Sequence, residues 1–311
     1  MNRPPQTRSL AELPPIGPAV VTLGVFDGLH LGHRAVLDAT RLAAAERGAS
    51  SVALVFDPHP DEVLRPGSRV PRLAPTAVNL SRIVELGIDR PLAIRFDAEL
   101  RSLTADTFLA ALSPALDLRA LVMSPQSSFG RDRGGTVERM RRLGASRRFD
   151  VVAVDSVEIE GGIVSSTRIR EAIAAGDVGM ARRLGVEPYL EGTVVAGDRR
   201  GRELGFPTAN LRFGYEAAMP SLGIYAGRVT RGGPAYQPAL ISIGTRPTFH
   251  ERGEVVAEVH LLDYAGDLYG ELLGVELVAR LRDELRFEAV AALVEQMHRD
   301  EEAARAVLGM T

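Results

Sequence analysis

Three groups of residues in this chain have types and spacings that could do chemistry. The first is Gly24-Val25-Phe26-Asp27-Gly28-Leu29-His30-Leu31-Gly32-His33. Its glycines let the backbone come close to a ligand, and two imidazoles three residues apart could donate hydrogen bonds to phosphate oxygens as charge builds. His30 and His33 could instead bind metal, but a zinc site needs a third and usually a fourth ligand, and the chain has no cysteine to supply one. Phosphate is the favoured ligand, although a Gly-rich turn or a His pair standing alone is also an ordinary structural feature. The second group is Val164-Ser165-Ser166-Thr167-Arg168-Ile169-Arg170, where hydroxyls, free N–H groups and guanidinium meet at a helix start. That suits a triphosphate, or simply a capped helix with its arginines in water. The third is Gly205-Phe206-Pro207-Thr208-Ala209-Asn210-Leu211. Thr208 and Asn210, two apart on an extended segment, point the same way and offer two neutral oxygens to a hard cation such as Mg²⁺, or serve as turn formers beside a proline.

These groups must be held by regular elements. Val20 to Leu23 reads as a strand and Arg34 to Arg47 as a helix, so the first group is a strand–turn–helix unit whose helix start can face an anion. Ser51 to Phe56 is a strand that ends in Asp57-Pro58-His59-Pro60, a stiff loop expected at the same rim as the histidines. Helix Leu80–Leu86, strand Leu92–Ile94, helix Thr104–Leu112, strand Leu118–Met123 and strand Val151–Val154 continue the βαβ rhythm. The Ser166 helix runs to about Ala174, and a short helix follows over Met180–Gly185. From Glu191 the texture changes to short β-rich runs with Gly/Pro turns, the pattern of a small barrel or sandwich, with an amphipathic helix over Phe287–Leu308. The boundary predicted from this change divides the chain into 1–186 and 187–311.

With 311 residues, 45% hydrophobic and 25% charged, the chain has material for two ordinary domains. A net charge of -3 argues against a polyanion-coating role, so nucleic acid is not an expected partner. The absence of cysteine excludes disulfides and thiol catalysis and fits a reducing compartment. Residues 1–16 lack the apolar run of a signal peptide and no later stretch is long enough to span a bilayer; a cytoplasmic protein with no membrane partner is expected. All 37 basic side chains are Arg, so arginines must do whatever phosphate gripping lysines would do elsewhere.

The string Gly24-x-Phe26-Asp27-Gly28-x-His30-x-Gly32-His33 resembles the signature of the nucleotidylyltransferase half of prokaryotic bifunctional riboflavin kinase/FAD synthetases, and Ser166-Thr167-Arg168-Ile169-Arg170 looks like its second signature. Gly205 to Leu211 resembles the Pro-Thr-Ala-Asn motif of riboflavin kinases. It is joined by Gly223-Ile224-Tyr225, Gly244-Thr245-Arg246-Pro247-Thr248-Phe249, Glu258-Val259-His260-Leu261-Leu262-Asp263 and Leu268-Tyr269-Gly270 in family order. The resemblance implies a Rossmann-like adenylyltransferase domain followed by a small β-barrel kinase domain closed by a helix, with riboflavin, FMN and ATP as substrates and Mg²⁺ as cofactor. It gives Gly24, Phe26, Asp27, Gly28, His30, His33, Ser166, Thr167 and Arg170 to ATP in the first domain, and Pro58 and Pro60 to the flavin. In the second domain it gives Gly197, Arg202, Gly205, Pro207, Thr208, Asn210 and Arg282 to ATP or flavin, Thr208 and Asn210 to the metal, and Glu258 the role of base toward a primary hydroxyl.

The chain departs from the family at Ser124-Pro125-Gln126-Ser127-Ser128, which keeps only the following Phe129-Gly130 of the usual Gly-Glu-Asp/Asn-Phe-x-Phe-Gly. Gln126 falls on the ligand-contacting Asp or Asn. It departs again at Val78-Asn79, where Glu-Lys is common. Two alternatives therefore stand beside a bifunctional enzyme: a riboflavin kinase whose first domain has decayed or been re-specialised, and a non-catalytic flavin-binding regulatory protein.

Overall fold

Near-continuous apolar runs are buried on both faces when they pair in parallel, and the first half of the chain does this. The computed structural model describes residues 6–197, 204–233, 235–246 and 254–310. The chain divides into two units, Met1–Val70 with Pro75–Ser165, and Pro71–Ala74 with Ser166–Thr311.

In the first unit β1 (Gly17–Gly24), β2 (Ser50–Asp57), β3 (Arg90–Arg95), β4 (Leu116–Met123) and β5 (Asp150–Ala153) form a parallel sheet in the order β3-β2-β1-β4-β5. Alternate residues serve opposite layers. Val21, Leu54 and Leu121 pack with Phe108, Met140 and Phe149, while Val20, Val55 and Val122 pack with Leu37 and Ile83. The covering helices are α1 (Leu31–Glu46), α2 (Pro60–Leu64), α3 (Thr76–Glu85), α4 (Ala98–Ser102), α5 (Ala105–Leu112) and α6 (Val137–Arg147). A hairpin of β6 (Glu158–Ile159) and β7 (Gly162–Ile163) follows. The order reverses at β1, whose neighbours are β2 and β4, so the turn after Gly24 occupies the switch point where open α/β sheets bind ligands.

The second unit starts with α7 (Ser166–Ala174) and α8 (Val178–Arg183). It continues as an antiparallel barrel of β8 (Tyr189–Val195), β9 (Ala209–Phe213), β10 (Gly223–Thr230), β11 (Tyr236–Arg246), β12 (Glu254–Leu261) and β13 (Leu272–Arg282). Its strands close in the order β10-β11-β12-β9-β8-β13, which makes it a barrel rather than a sandwich. Tyr225, Ile241, Ile243, Val259, Leu273 and Val275 fill the interior. The closing helix α9 spans Val290–Leu308 and packs outside β10, β11 and β13. It begins three residues later than the apolar spacing predicts, because Ala289 holds an extended backbone at its N-cap.

Two arginine forks hold α9. Arg282 donates from Nε and Nη2 to Asp300 at 2.7 and 2.5 Å, and Arg305 donates from Nη2 and Nη1 to Asp263 at 2.6 and 2.8 Å. Arg305 holds the Asp263 carboxyl below the usual carboxylate range. Bidentate charge-assisted pairs fix orientation as well as contact, which suits a helix whose apolar seat is small: Ala304 is its fully buried apolar residue, against Ala226, Leu240 and Leu262.

A second carboxylate ties the sheet. Asp89 accepts from the Ser51 hydroxyl at 2.7 Å and the Ser51 N–H at 2.8 Å, joining the start of β2 to the turn before β3. Those bonds, the hydroxyl's first, lower the Asp89 pKa. A lowered folded value stabilises above the unfolded pKa and is lost as pH falls through the folded one. Ser51→Ala should therefore be less stable than the parent in urea at about pH 7, with the gap narrowing at about pH 3. A gap independent of pH would remove Asp89 from the account.

Candidate functional site

The first site grows from the end of β1. Chain direction reverses within a few residues, and Phe26 and Leu29 both take left-handed backbone at φ 50°, which costs a non-glycine residue about 1–2 kcal/mol. Gly28, at φ 78°, sits between them. The N–H of Gly28 donates to Asn79 Oδ1 of α3 at 3.3 Å, and Arg34 Nε donates to the Leu29 carbonyl at 3.0 Å. His30 then caps α1: its Nδ1 accepts from the His33 N–H at 3.3 Å. An Nδ1 used as acceptor leaves the imidazole proton on Nε2, so His30 has its donor on the side away from the helix.

The His30 and His33 rings stack with centroids 3.6 Å apart at 18°, and Phe26 lies 5.2 Å from His33. Gly32 makes room for the stack, since a Cβ there would come within 3.2 Å of the His30 ring. The structure thus brings Gly24, Phe26, Asp27, Gly28, His30 and His33 into one turn. Asp27 is 1% exposed and His30 6%.

The carboxyl ends of β2 and β4 lie at the same rim of the sheet. At β2 the Asp57–Pro58 bond is cis, and Asp57 Oδ1 accepts from Thr76 Oγ1 at 2.8 Å. Pro60 is not part of a loop, as the sequence suggested, but the first residue of α2. Its fixed φ suits that position, and His59 Nδ1 caps the helix by accepting from the Asp61 N–H at 3.1 Å. Beyond β4 the polar side chains of the divergent segment are bonded to one another and to Ser156 and Arg133. The Ser124 and Ser127 hydroxyls are 2.7 Å apart, Gln126 Oε1 accepts from Ser156 at 2.9 Å, and Ser128 accepts from Arg133 at 2.8 Å. Phe129 packs on Phe108 at 5.2 Å, and at Gly130, φ 72°, a Cβ would press on the Ala105 N–H at 2.6 Å.

Ser166, Thr167 and Arg170 stand on α7, in the second unit, where Arg170 Nε donates to the Pro71 carbonyl at 2.6 Å.

The other site lies on the barrel wall. Asn210 of β9 is the register partner of both Glu258 on β12 and Val195 on β8. Thr208, just before β9, directs its hydroxyl at Glu258 Oε2 from 3.4 Å. Asn210 is 7% exposed, and a Cβ at Gly197 would collide with its amide, so glycine at 197 keeps a cradle open there. Pro207 accepts from the His260 ring at 2.8 Å, and Gly205 turns the chain with φ 88°. Arg282, read as a ligand contact, is engaged by the Asp300 fork and by the Asp283 carbonyl at 2.8 Å. Arg202 and the residues Pro247-Thr248-Phe249 lie outside the described residues. No group of three or more His, Cys, Asp or Glu among the described residues could hold a metal, so a cation at Thr208 and Asn210 would draw on neutral oxygens and on a ligand's phosphates.

Sequence reasoning missed Asn79, which it took only as a departure from the family pattern. The signal was faint: a polar residue at a core-facing position of an amphipathic helix, here 1% exposed.

Two protein-family models match the chain, FAD synthetase over residues 15–168 and riboflavin kinase over residues 184–308. The bifunctional riboflavin kinase/FMN adenylyltransferase of Pseudomonas fluorescens is 38% identical over 93% of this chain and 92% of its own. The chain belongs to the bifunctional riboflavin kinase/FMN adenylyltransferase family. The member from Listeria monocytogenes is 35% identical over 92% of this chain and 91% of its own. Among solved structures, a protein named as a macrolide-efflux protein from Streptococcus pneumoniae superposes with a TM-score of 0.87 at 32% identity, covering 96% of this chain and 97% of that one. In this family member, no helix among the described residues is long and apolar enough to cross a membrane.

Replacing Asn79 with Ala removes the acceptor from the buried Gly28 N–H of this family's histidine turn. Urea unfolding should lose about 1–3 kcal/mol. An unchanged unfolding midpoint would show that the turn does not lean on α3.

Proposed function

We propose that this chain makes FAD in two steps, phosphorylating riboflavin with ATP in its second domain and adenylylating the resulting FMN in its first. The observation that carries the kinase step is the meeting of Thr208, just before β9, with Asn210 of β9 and Glu258 of the adjacent β12. Glu258 takes the proton of the flavin's primary hydroxyl as that oxygen bonds to the γ-phosphorus of ATP, and the bond to ADP breaks. Thr208 and Asn210 would hold Mg²⁺: the donor set is neutral oxygen, and the Gly197 cradle gives the amide room. When bound, that ion supplies charge neutralisation on the phosphates. Gly205 and Pro207 shape the segment that presents Thr208, and Gly197, Arg202 and Arg282 complete the proposed ATP or flavin contacts.

In the first domain a phosphate oxygen of FMN attacks the α-phosphorus of ATP and pyrophosphate leaves. His30 and His33 donate to the α-phosphate as charge develops, a role supported by the Nε2 proton that capping leaves on His30. Gly24, Phe26, Asp27 and Gly28 bring the backbone to the nucleotide. Pro58, Pro60 and Gln126 line the flavin side, a reading supported by their position beyond the carboxyl ends of β2 and β4. Ser166, Thr167 and Arg170 are assigned to ATP phosphates on the strength of their signature. The functional boundary is proposed at 186/187, three residues inside a riboflavin kinase match that begins at 184, whereas the FAD synthetase match ends at 168 and the structural units part at Ser165/Ser166. The work belongs to the cytoplasm, which the cysteine-free composition favours.

The altered Ser124–Ser128 segment favours one second reading, a working kinase beside a silent or re-specialised adenylyl site. Chromatography of flavins formed from riboflavin or FMN with ATP and Mg²⁺ separates the two. FAD from both substrates is expected; FMN from riboflavin with FAD from neither would select the second reading.

Glu258→Gln should lower FMN formation by about 10²–10⁴-fold and leave adenylylation of supplied FMN intact. His30→Ala should do the reverse, losing about 10²–10³-fold in adenylylation only. Equal loss of both activities in a folded variant would sink this division of labour.

A further inference from the structure

We propose that His260 is a positioning residue of the kinase half: its Nδ1–H holds the Pro207 carbonyl and so fixes where Thr208 presents its hydroxyl. The inference rests on the reading of Thr208 and Glu258 as working groups. The β9–β12 ladder runs from Leu211 opposite Ala257 to Ala209 opposite Val259 and stops. Pro207 has no N–H with which to extend it. Side chains supply the next contacts instead. Glu258 and His260, two apart on β12, point to one face, and there Thr208 Oγ1 lies 3.4 Å from Glu258 while His260 Nδ1 lies 2.8 Å from the Pro207 oxygen. A carbonyl only accepts, so Nδ1 carries the proton and the tautomer is set.

The residue before Pro207 is pinned as well. Phe206 is 4% exposed, between the His260 ring at 5.5 Å and the His298 ring of α9 at 5.0 Å. Ring closure limits Pro207 itself to one φ. The last free choice is the direction of the 207 carbonyl, hence of the peptide plane leading into Thr208, and His260 removes it. A threonine hydroxyl that must meet both Glu258 and a phosphate-bound cation depends on that plane.

The test uses the full chain with His260→Ala, His260→Asn and His260→Gln. Asn has an N–H donor at the place of Nδ1, Gln at the place of Nε2. In FMN formation, kcat/KM for ATP should fall about tenfold in the Ala and Gln variants, equivalent to about 1.4 kcal/mol for one lost hydrogen bond. The Asn variant should stay within about threefold of the parent, and adenylylation of supplied FMN should be unchanged in all three. Hydrogen exchange of the peptide covering residues 204–211, which needs no turnover, should quicken in Ala and Gln and not in Asn. Asn and Gln variants that match each other in kinetics and exchange would overturn the proposal, as would an Ala variant with parental kcat/KM. A parent chain that forms no FMN sinks the kinase reading instead, and the exchange comparison still decides whether His260 holds the segment.

Discussion

A strand that stops pairing leaves backbone groups that must find other partners, and both proposed sites sit where this happens. After β1 the N–H groups of Gly28 and His33 go to Asn79 and His30. Before β9 the carbonyl of Pro207 goes to His260. In each case the side chain that satisfies the backbone lies in or beside the functional constellation. Satisfying a strand end and aiming a reactive group are here a single act. Changing one of these side chains therefore changes the geometry of the chemistry even if it never touches substrate.

The same constraint explains what could be read from the sequence. The histidine turn and the start of α5 were legible because their capping bonds, His33 N–H to His30 and Thr107 N–H to Thr104, span three residues. The parallel strands were legible because burial on both faces leaves apolar runs such as Val52-Ala53-Leu54-Val55. Asn79 was not, since its partner Gly28 is 51 residues away and only the fold joins them. The helix α6 was also hidden: four of its eleven residues are arginine, and Met140 and Gly144 are its buried residues. Barrel closure depends on β10 pairing with β13 across some fifty residues of chain, which no local pattern announces.

The divergent loop after β4 shows how a motif can lose its letters and keep its frame. Phe129 and Gly130 are retained because they seat the loop: one ring in the core, one backbone contact on α5 with no space for a Cβ. The Arg131 N–H adds a bond to the Leu103 carbonyl at 2.7 Å. Upstream, this chain has Pro125 where the family has an acid and Ser127 where it has an aromatic, and the Ser127 hydroxyl bonds that of Ser124. An aromatic would offer a stacking face; a serine pair with its own hydrogen bond leaves a polar wall. The frame thus keeps the position of the loop at the rim of the sheet, and the wall changes what it offers there, a polar surface in place of a stacking one.

The closing helix carries the argument furthest from the sites. Asp300 is 5% exposed and accepts the Arg282 fork together with Gln296 at 2.9 Å, so its charge is compensated on several sides. Removing one partner of such a pair strands a buried charge, which is worse than never having had the pair. Arg282 ends β13, while His298, two residues before Asp300, touches Phe206. One helix thus restrains the end of β13 and the ring beside Pro207. Its amphipathic pattern predicts only packing, but its side chains also tie the end of β13 to the segment before Thr208.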